Sequence, residues 1–593
     1  MRIPRKKIKE FVRDIADQCM SSRTSRANRG QLFDSYYGQG SSDPSQPAMF
    51  NKLFSSIDDL ESLLYSPVSL RFRISDADMP NVVNEAKGRA AAAKIRQSCR
   101  QDDSDTLISQ AVNKSLVKGL GVTKQLFKRD EFFSSLVEAE NFGVLRENHG
   151  KLDPDMEGFC HSMLITKHQF ARLIANRPDE DELLKKAKRY TRMGTGGLSD
   201  TRSSAINIVV GGLYPLQGPG NGVSASRGIV DWMSTPKPDM DPAIEQELLE
   251  LDEVWVWDDD REDWATFQLI GSDMLIMGRY QIINALAYDP VSRISSPPLK
   301  GVHPFTPFCA NPVPGYFWGM SEIARLMMLQ EAINARITGT NKMLRKQEDP
   351  SIKFTGGSGI NQIALARFNK PGGYYVEQSP TAKIERDTQQ IPQDMWVSLH
   401  ELERMFDELM GIPPVAKGHG EKGVRSANHA EALVRMFSPR FKDRALLIER
   451  NVEDFGALRL DLSRAHIAKK FVAWVPEAAA GAEVGATKEE LQFLLPPAKG
   501  LVPVYSSFAD LPDDVSLTVD SHSASPAFSQ DHKSLVFDEL KTGMLSPAEA
   551  VDELDVSDPT AQQMAIMRRD IAKAEAAEKE QQLKLVSHAG GKK

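Results

Sequence analysis

Four side chains that could hold a phosphate crowd one glycine-rich stretch from Gly411 to Arg425. They are Lys417, His419, Lys422 and Arg425, interleaved with Gly411, Gly418, Gly420 and Gly423. A flexible backbone lets such charges follow a polyanion, and both flanks carry helical patterns that would anchor the loop. Two readings stand: a phosphate-touching loop, or a solvent loop with no partner. Other combinations fail on spacing. Gly194-Thr-Gly-Gly197 and Gly356-Gly-Ser-Gly359 lack the Lys-Ser/Thr that closes a P-loop, and Pro219 removes an N–H from Gly218-Pro-Gly-Asn-Gly222. All three read as turns. His161 and His168 miss the i, i+4 spacing of a helix-borne metal pair, and no HExxH occurs. Ser426, near His429 and Glu431, lacks a nucleophile elbow and reads as a helix N-cap. No catalytic residue, metal or cofactor is expected, so the chain reads as a non-enzyme.

Trp255, Trp257 and Trp264 could stack on bases. Their setting favours a hairpin instead, with Glu253–Trp257 and Trp264–Ile270 as strands around the charged turn Asp258–Asp263. The formal net charge of −8 over 593 residues excludes a protein that grips DNA along its whole surface. Contact with DNA, if made, must be local and weak. Cys19, Cys99, Cys160 and Cys309 are scattered without CxxC spacing, which suits a reducing compartment rather than a disulfide or zinc framework. No apolar run approaches the ~20 residues of a membrane span. The basic start (Arg2, Arg5, Lys6, Lys7, Lys9) leads into no apolar stretch, so neither a signal peptide nor a membrane partner is expected.

The elements that would position these groups are mixed. The first ~45 residues are polar and read as a loop or loosely docked arm. Leu53, Phe54, Ile57, Leu60, Leu63 and Leu64 mark a helix with a buried face over Asn51 to Leu64, followed by strand-like Ser69–Ile74. A helix from Asp105 to Leu120 breaks at Gly119 and Gly121 before a strand over Val122–Phe127, and Thr166 would cap a helix reaching Ile174. Asp241 to Leu251 reads as a short acidic helix. His303–Phe308 reads as extended, and Ser321 should cap one long helix to Gln347. Irregular β structure over 351–392, a helix from Asp394 to Met410 and a long helical pattern to Lys470 complete the ordered part. Residues 477–526 are punctuated by proline and glycine; the C-terminal end reads as helical, with a disordered tail.

In this order the chain resembles the portal proteins of tailed bacteriophages. Ser115-Leu-Val-Lys-Gly-Leu-Gly-Val-Thr-Lys-Gln-Leu-Phe127 is similar to the family's helix-to-strand passage. Glu140-Asn-Phe-Gly-Val144 and Ile165-Thr-Lys-His-Gln-Phe170 resemble wing segments. Pro314-Gly-Tyr-Phe-Trp-Gly-Met-Ser321, with Gln330 and Asn334, is similar to the passage from clip into stem. Met410-Gly-Ile-Pro-Pro414 resembles the approach to the channel loop, and Lys541-Thr-Gly-Met-Leu-Ser-Pro547 a crown segment. The similarity spans Asn51 to Gln562 and rests on order and spacing.

The resemblance implies an α/β fold of wing, stem, clip and helical crown around a central channel. The expected divisions are an N-terminal arm (1–50), wing (51–238), first stem helix (239–252), clip (253–315) and second stem helix (316–347). Further wing (348–410), channel loop (411–426), a long wing or crown helix (427–475), crown (476–583) and a disordered tail (584–593) follow. Lys417, His419, Lys422 and Arg425 would then meet DNA. Arg336, Lys342, Arg345 and Lys346 would line the channel, and Trp255, Trp257, Asp259, Arg261 and Trp264 would dock the motor or adaptor. The implied partners are further copies in a dodecameric ring, double-stranded DNA read without sequence, the terminase large subunit, the major capsid protein, scaffold and tail adaptors. The implied location is a capsid vertex of the virion, after synthesis in the host cytoplasm. The rivals are a virion or head-completion protein without a channel, and a nuclease or ATPase, which would need clustered carboxylates or a P-loop.

Overall fold

The structure, a computed structural model, describes residues 3, 7–38, 50–65, 72–76, 82–128, 131–166, 170–171, 180–187, 192–193, 247–271, 274–281, 301–348, 352–355, 383–386, 393–411, 439–467, 469–476, 501–512, 515–519, 536–538 and 540–542. Helices and strands mix throughout, as the sequence leads one to expect.

Two helices open the chain, α1 (Ile8–Cys19) and α2 (Arg23–Gly38). They correct the expectation of a loose arm. Val12, Ile15, Ala16 and Cys19 are buried against Val254, Val256, Phe267 and Leu269. The arginines at the start of α2 are buried and serve tertiary partners rather than water. Arg23 Nη1 lies 2.7 Å from Glu250 Oε1, and Arg26 Nη2 donates to the Phe142 carbonyl at 2.8 Å. Polarity alone therefore misled the sequence reading.

Next come α3 (Lys52–Leu64), β1 (Phe72–Asp76), α4 (Val82–Gln101) and α5 (Ser104–Lys118). Of the expected buried face, Leu53, Ile57, Leu60 and Leu64 are buried, Leu63 is half-buried and Phe54 is exposed, and Asn51 caps the helix by accepting from the Phe54 amide at 3.1 Å. The alanine-rich α4 has no counterpart in the sequence reading. Its Gly88 meets β1 closely, since a Cβ there would sit 2.5 Å from the Ile74 carbonyl oxygen. Gly119 ends α5 at φ +93°, the left-handed cap that glycine favours.

Strands β2 (Gly121–Lys128), β3 (Glu131–Val137), β4 (Phe142–Val144) and β5 (Gly158–Thr166) follow, then α6 (Glu180–Ala187) and β6 (Arg192–Met193). Thr166 is the last residue of β5, and Phe170 and Ala171 are helical; residues 167–169, where the expected helix would begin, lie outside the described residues. After β7 (Glu247–Asp258), β8 (Asp263–Ile270) and β9 (Met274–Gln281) comes β10 (Phe305–Phe308). A six-stranded antiparallel sheet runs β4-β5-β7-β8-β9, with β6 also on β7.

From Glu247 on, continuous strand β7 replaces the short acidic helix expected over residues 239–252. From Glu247 onward the period is two: Leu249 and Leu251 are buried, while Glu250 and Asp252 point to the other face, where each accepts from Ser162. Register with β5 runs from Gly158↔Val256 to Thr166↔Leu248, so the expected stem–clip boundary at 252/253 falls inside one paired strand. Residues 239–246 lie outside the described residues.

The remaining elements are α7 (Glu322–Glu348), β11 (Ile352–Thr355), β12 (Lys383–Arg386), α8 (Gln393–Met410) and α9 (Pro439–His466). The last strands are β13 (Phe471–Pro476), β14 (Leu501–Ser506) and β15 (Val515–Val519). Ser321 caps α7 as expected, its Oγ accepting from the Ile323 and Ala324 amides at 3.0 and 3.3 Å. The largest core gathers α3, α4, α5, α7, α8, α9, β1 and β15. A second core joins the β10-β2-β3 sheet to the aromatic face of the larger sheet.

Candidate functional site

The phosphate-loop residues Lys417, His419, Lys422 and Arg425 lie outside the described residues. Of the long-helix candidates, Arg336, Lys342 and Arg345 are exposed on α7, and none has a side-chain partner among the described residues. Lys342 and Arg345 stand at i, i+3 on one side, and Arg336, nine residues before Arg345, lies on the opposite side from it. The Lys346 side chain is outside the described residues. At 27 residues α7 is ~40 Å long, with Arg336 near its middle and Lys342 and Arg345 toward the end far from its cap.

The tryptophan hairpin forms in the expected register, with Trp257 opposite Trp264 and their rings edge-on at 5.3 Å. Trp255 stacks on Phe159 at 5.8 Å and donates its indole N–H to Glu253 at 3.0 Å. Trp255 and Trp264 are buried, which corrects their assignment to a docking face: they are core aromatics. Trp257 is half-buried. Asp259 and Arg261 are exposed in the turn, where Glu262 adopts φ +53°.

Buried ionic networks hold the frame among the described residues; three of them follow, and none was legible in sequence spacing. Glu253, fully buried, pairs with Lys124 across two sheets and stands 3.8 Å from His161 Nδ1. Burial pushes the Glu253 carboxyl up, but Lys124 and His161 outweigh it and hold the pKa at about 2. Burial likewise lowers the pKa of His161, against the pull of Glu253. Arg459 of α9, fully buried, makes a two-pronged ion pair with Asp102 at 2.6 and 3.1 Å. It also donates to Ser104, Ser134 and Gln125 at 2.8, 2.8 and 3.0 Å, with its guanidinium 4.5 Å over the Phe132 ring. Lys118 of α5 meets Asp34, Glu138 and Glu140 at 3.0, 3.1 and 2.7 Å. Burial disfavours its charge, but the three carboxylates raise its pKa nonetheless.

Beside this last network a groove of about 330 Å³ opens between α2 and the start of α7. Phe33, Tyr316, Trp318, Met320 and Ala324 supply apolar wall, and Arg26 stacks on Trp318 at 4.0 Å. Arg29 also lines it; this side chain is exposed and has no partner among the described residues. Elsewhere His149, Asp153 and Asp155 gather in one loop, but His149 Nε2 already hydrogen-bonds Asp153 Oδ1 at 2.6 Å. Among the described residues no helix is long and apolar enough to cross a membrane. No protein-family model and no curated protein matches this chain.

Proposed function

We propose that the chain is a ring-forming subunit of a DNA conduit of the phage-portal kind, passing duplex DNA without reading its sequence. The observation that carries this reading is the basic second half of α7. In a chain of net charge −8, Arg336, Lys342 and Arg345 are exposed and without described carboxylate partners along the second half of one ~40 Å rod. Isolated cations on an acidic background attract phosphate locally and repel it at longer range. That combination guides a sliding polyanion without holding it fast. Phosphate contacts carry no base readout, as a path for any sequence requires. The resemblance of the sequence segments quoted above supports the same reading, with the glycine-rich stretch Gly411 to Arg425 as a second set of phosphate contacts. In such a ring the partners are the terminase motor, capsid and scaffold proteins and the tail adaptor.

Negative-stain electron microscopy with mass measurement tests it. Rings with a central hole wide enough for duplex DNA, at the mass of a dodecamer of the 65.8 kDa chain, are expected. A small closed dimer without a hole, or turnover of ATP or DNA by the purified chain, overturns the reading. In the ring, alanine at Lys417, Lys422 and Arg425 together should leave assembly intact and impair DNA packaging or retention. Loss of the ring in that variant removes the loop from the channel.

A further inference from the structure

A ring needs two different faces on every subunit, one for each neighbour. Two candidates stand out on this chain, and they differ in shape. One is the groove between α2 and α7, lined by Phe33 and Trp318 and by the exposed apolar side chain of Met320. The other is the outward side of the first turns of α8, where Trp396 is 46% and Val397 66% exposed. A half-exposed tryptophan beside an exposed valine leaves apolar area in water that burial would stabilise.

The charges match as well. Arg29 at the groove and Asp394 beside Trp396 are both exposed, and neither has an ion-pair partner among the described residues. Position matters too. The first turn of α8 packs at Gly339, where an added Cβ would lie 3.7 Å from Met395 Cε. Gly339 is ~22 Å along α7 from Ala324, which lines the groove. The two faces therefore do not overlap, and one subunit can use both at once.

We propose that a second copy of this chain fills the groove, with its Trp396 seated between α2 and α7 and its Asp394 paired with Arg29. The contact is head-to-tail. It rests on the ring reading and names the surface through which the ring would close. A groove of about 330 Å³ is large enough for one indole, and tryptophan with arginine at a rim is the usual composition of an interface anchor.

Two exposed substitutions separate the faces. Trp396→Ala removes the knob, and Ala324→Trp fills the groove. Each variant alone should be monomeric at concentrations where the unaltered chain forms rings, with unchanged circular dichroism and melting. Mixed together they should form one-to-one pairs that do not extend, because each supplies the face the other lacks. Arg29→Asp should raise the concentration for half-assembly at least tenfold, and Arg29→Asp with Asp394→Arg in one chain should restore it. Rings from both Trp396→Ala and Ala324→Trp at the unaltered concentration overturn this interface and leave the ring reading standing. Failure of the unaltered chain to form any closed ring overturns both.

Discussion

Arg459 shows how much a single buried side chain can organise. It ties α9 to the turn between α4 and α5 and to both β2 and β3. Removing one partner of a buried ion pair strands the other, at a cost of ~3–5 kcal/mol. Arg459→Met and Asp102→Asn should each lower unfolding free energy by about that much in denaturant titration. The double variant should lose less than the sum, because the pair is coupled. The acid side of the pH profile follows from Glu253 and His161. A carboxyl held at about 2 when folded, against about 4.3 unfolded, contributes stability above the unfolded value and loses it as pH falls toward 2. His161 and His303, both lowered by burial, take up protons more readily when unfolded. Their contribution is therefore full above about 6.5 and shrinks below it. Melting temperature should fall from pH 7.5 to 5.5, and His161→Gln should flatten that slope; an unchanged slope removes His161 from the account.

Elements tell a different story about what sequence can carry. Where one periodicity dominates, the reading was direct: Leu53, Ile57, Leu60 and Leu64 mark α3, and Ser321 marks the start of α7. Ser321→Ala should cost ~1 kcal/mol as a lost cap, somewhat more because the hydroxyl also donates to the Val117 carbonyl. Two kinds of element escaped. Helix α2 hides because its buried positions include Arg23 and Arg26, whose partners Glu250 and Glu147 are far away in the chain. The start of β7 hides because acids facing Ser162 dilute the alternation of Leu249 and Leu251. In both cases the deciding contact is tertiary, and no local window contains it. The candidate site divides the same way. Exposed cations on α7 could be picked from sequence, whereas the groove could not, because it joins residues near 30 to residues near 320. Deleting residues 1–38 should expose the apolar face over Val254 and Phe267 and yield insoluble or strongly destabilised protein. Full solubility and unchanged melting of that deletion would return the segment to the status of an arm.

For the molecule as a whole, net acidity and a few exposed cations set how it would treat DNA. Alanine at Arg336, Lys342 and Arg345 should weaken DNA retention in the assembled ring equally for all sequences. The slope of log affinity against log salt should shrink by about 0.9 for each phosphate that the variant no longer neutralises. A sequence-dependent loss would point to base contacts instead. One feature of the fold also bears on how the chain comes to exist. Strand β1 pairs with β15, and the Thr518 hydroxyl reaches the Arg73 carbonyl across 445 residues of sequence. At ribosomal speeds of ~5–20 residues per second, β1 waits roughly 20–90 s for its partner to be synthesised. During that wait the edge of β1 stays unpaired, and the face of α9 that β15 covers is completed only after Val519, so the largest core closes only when the chain is nearly finished. A ribosome stalled before Val515 would hold an open, aggregation-prone intermediate, and chains cut short there should be recovered with chaperones rather than in rings.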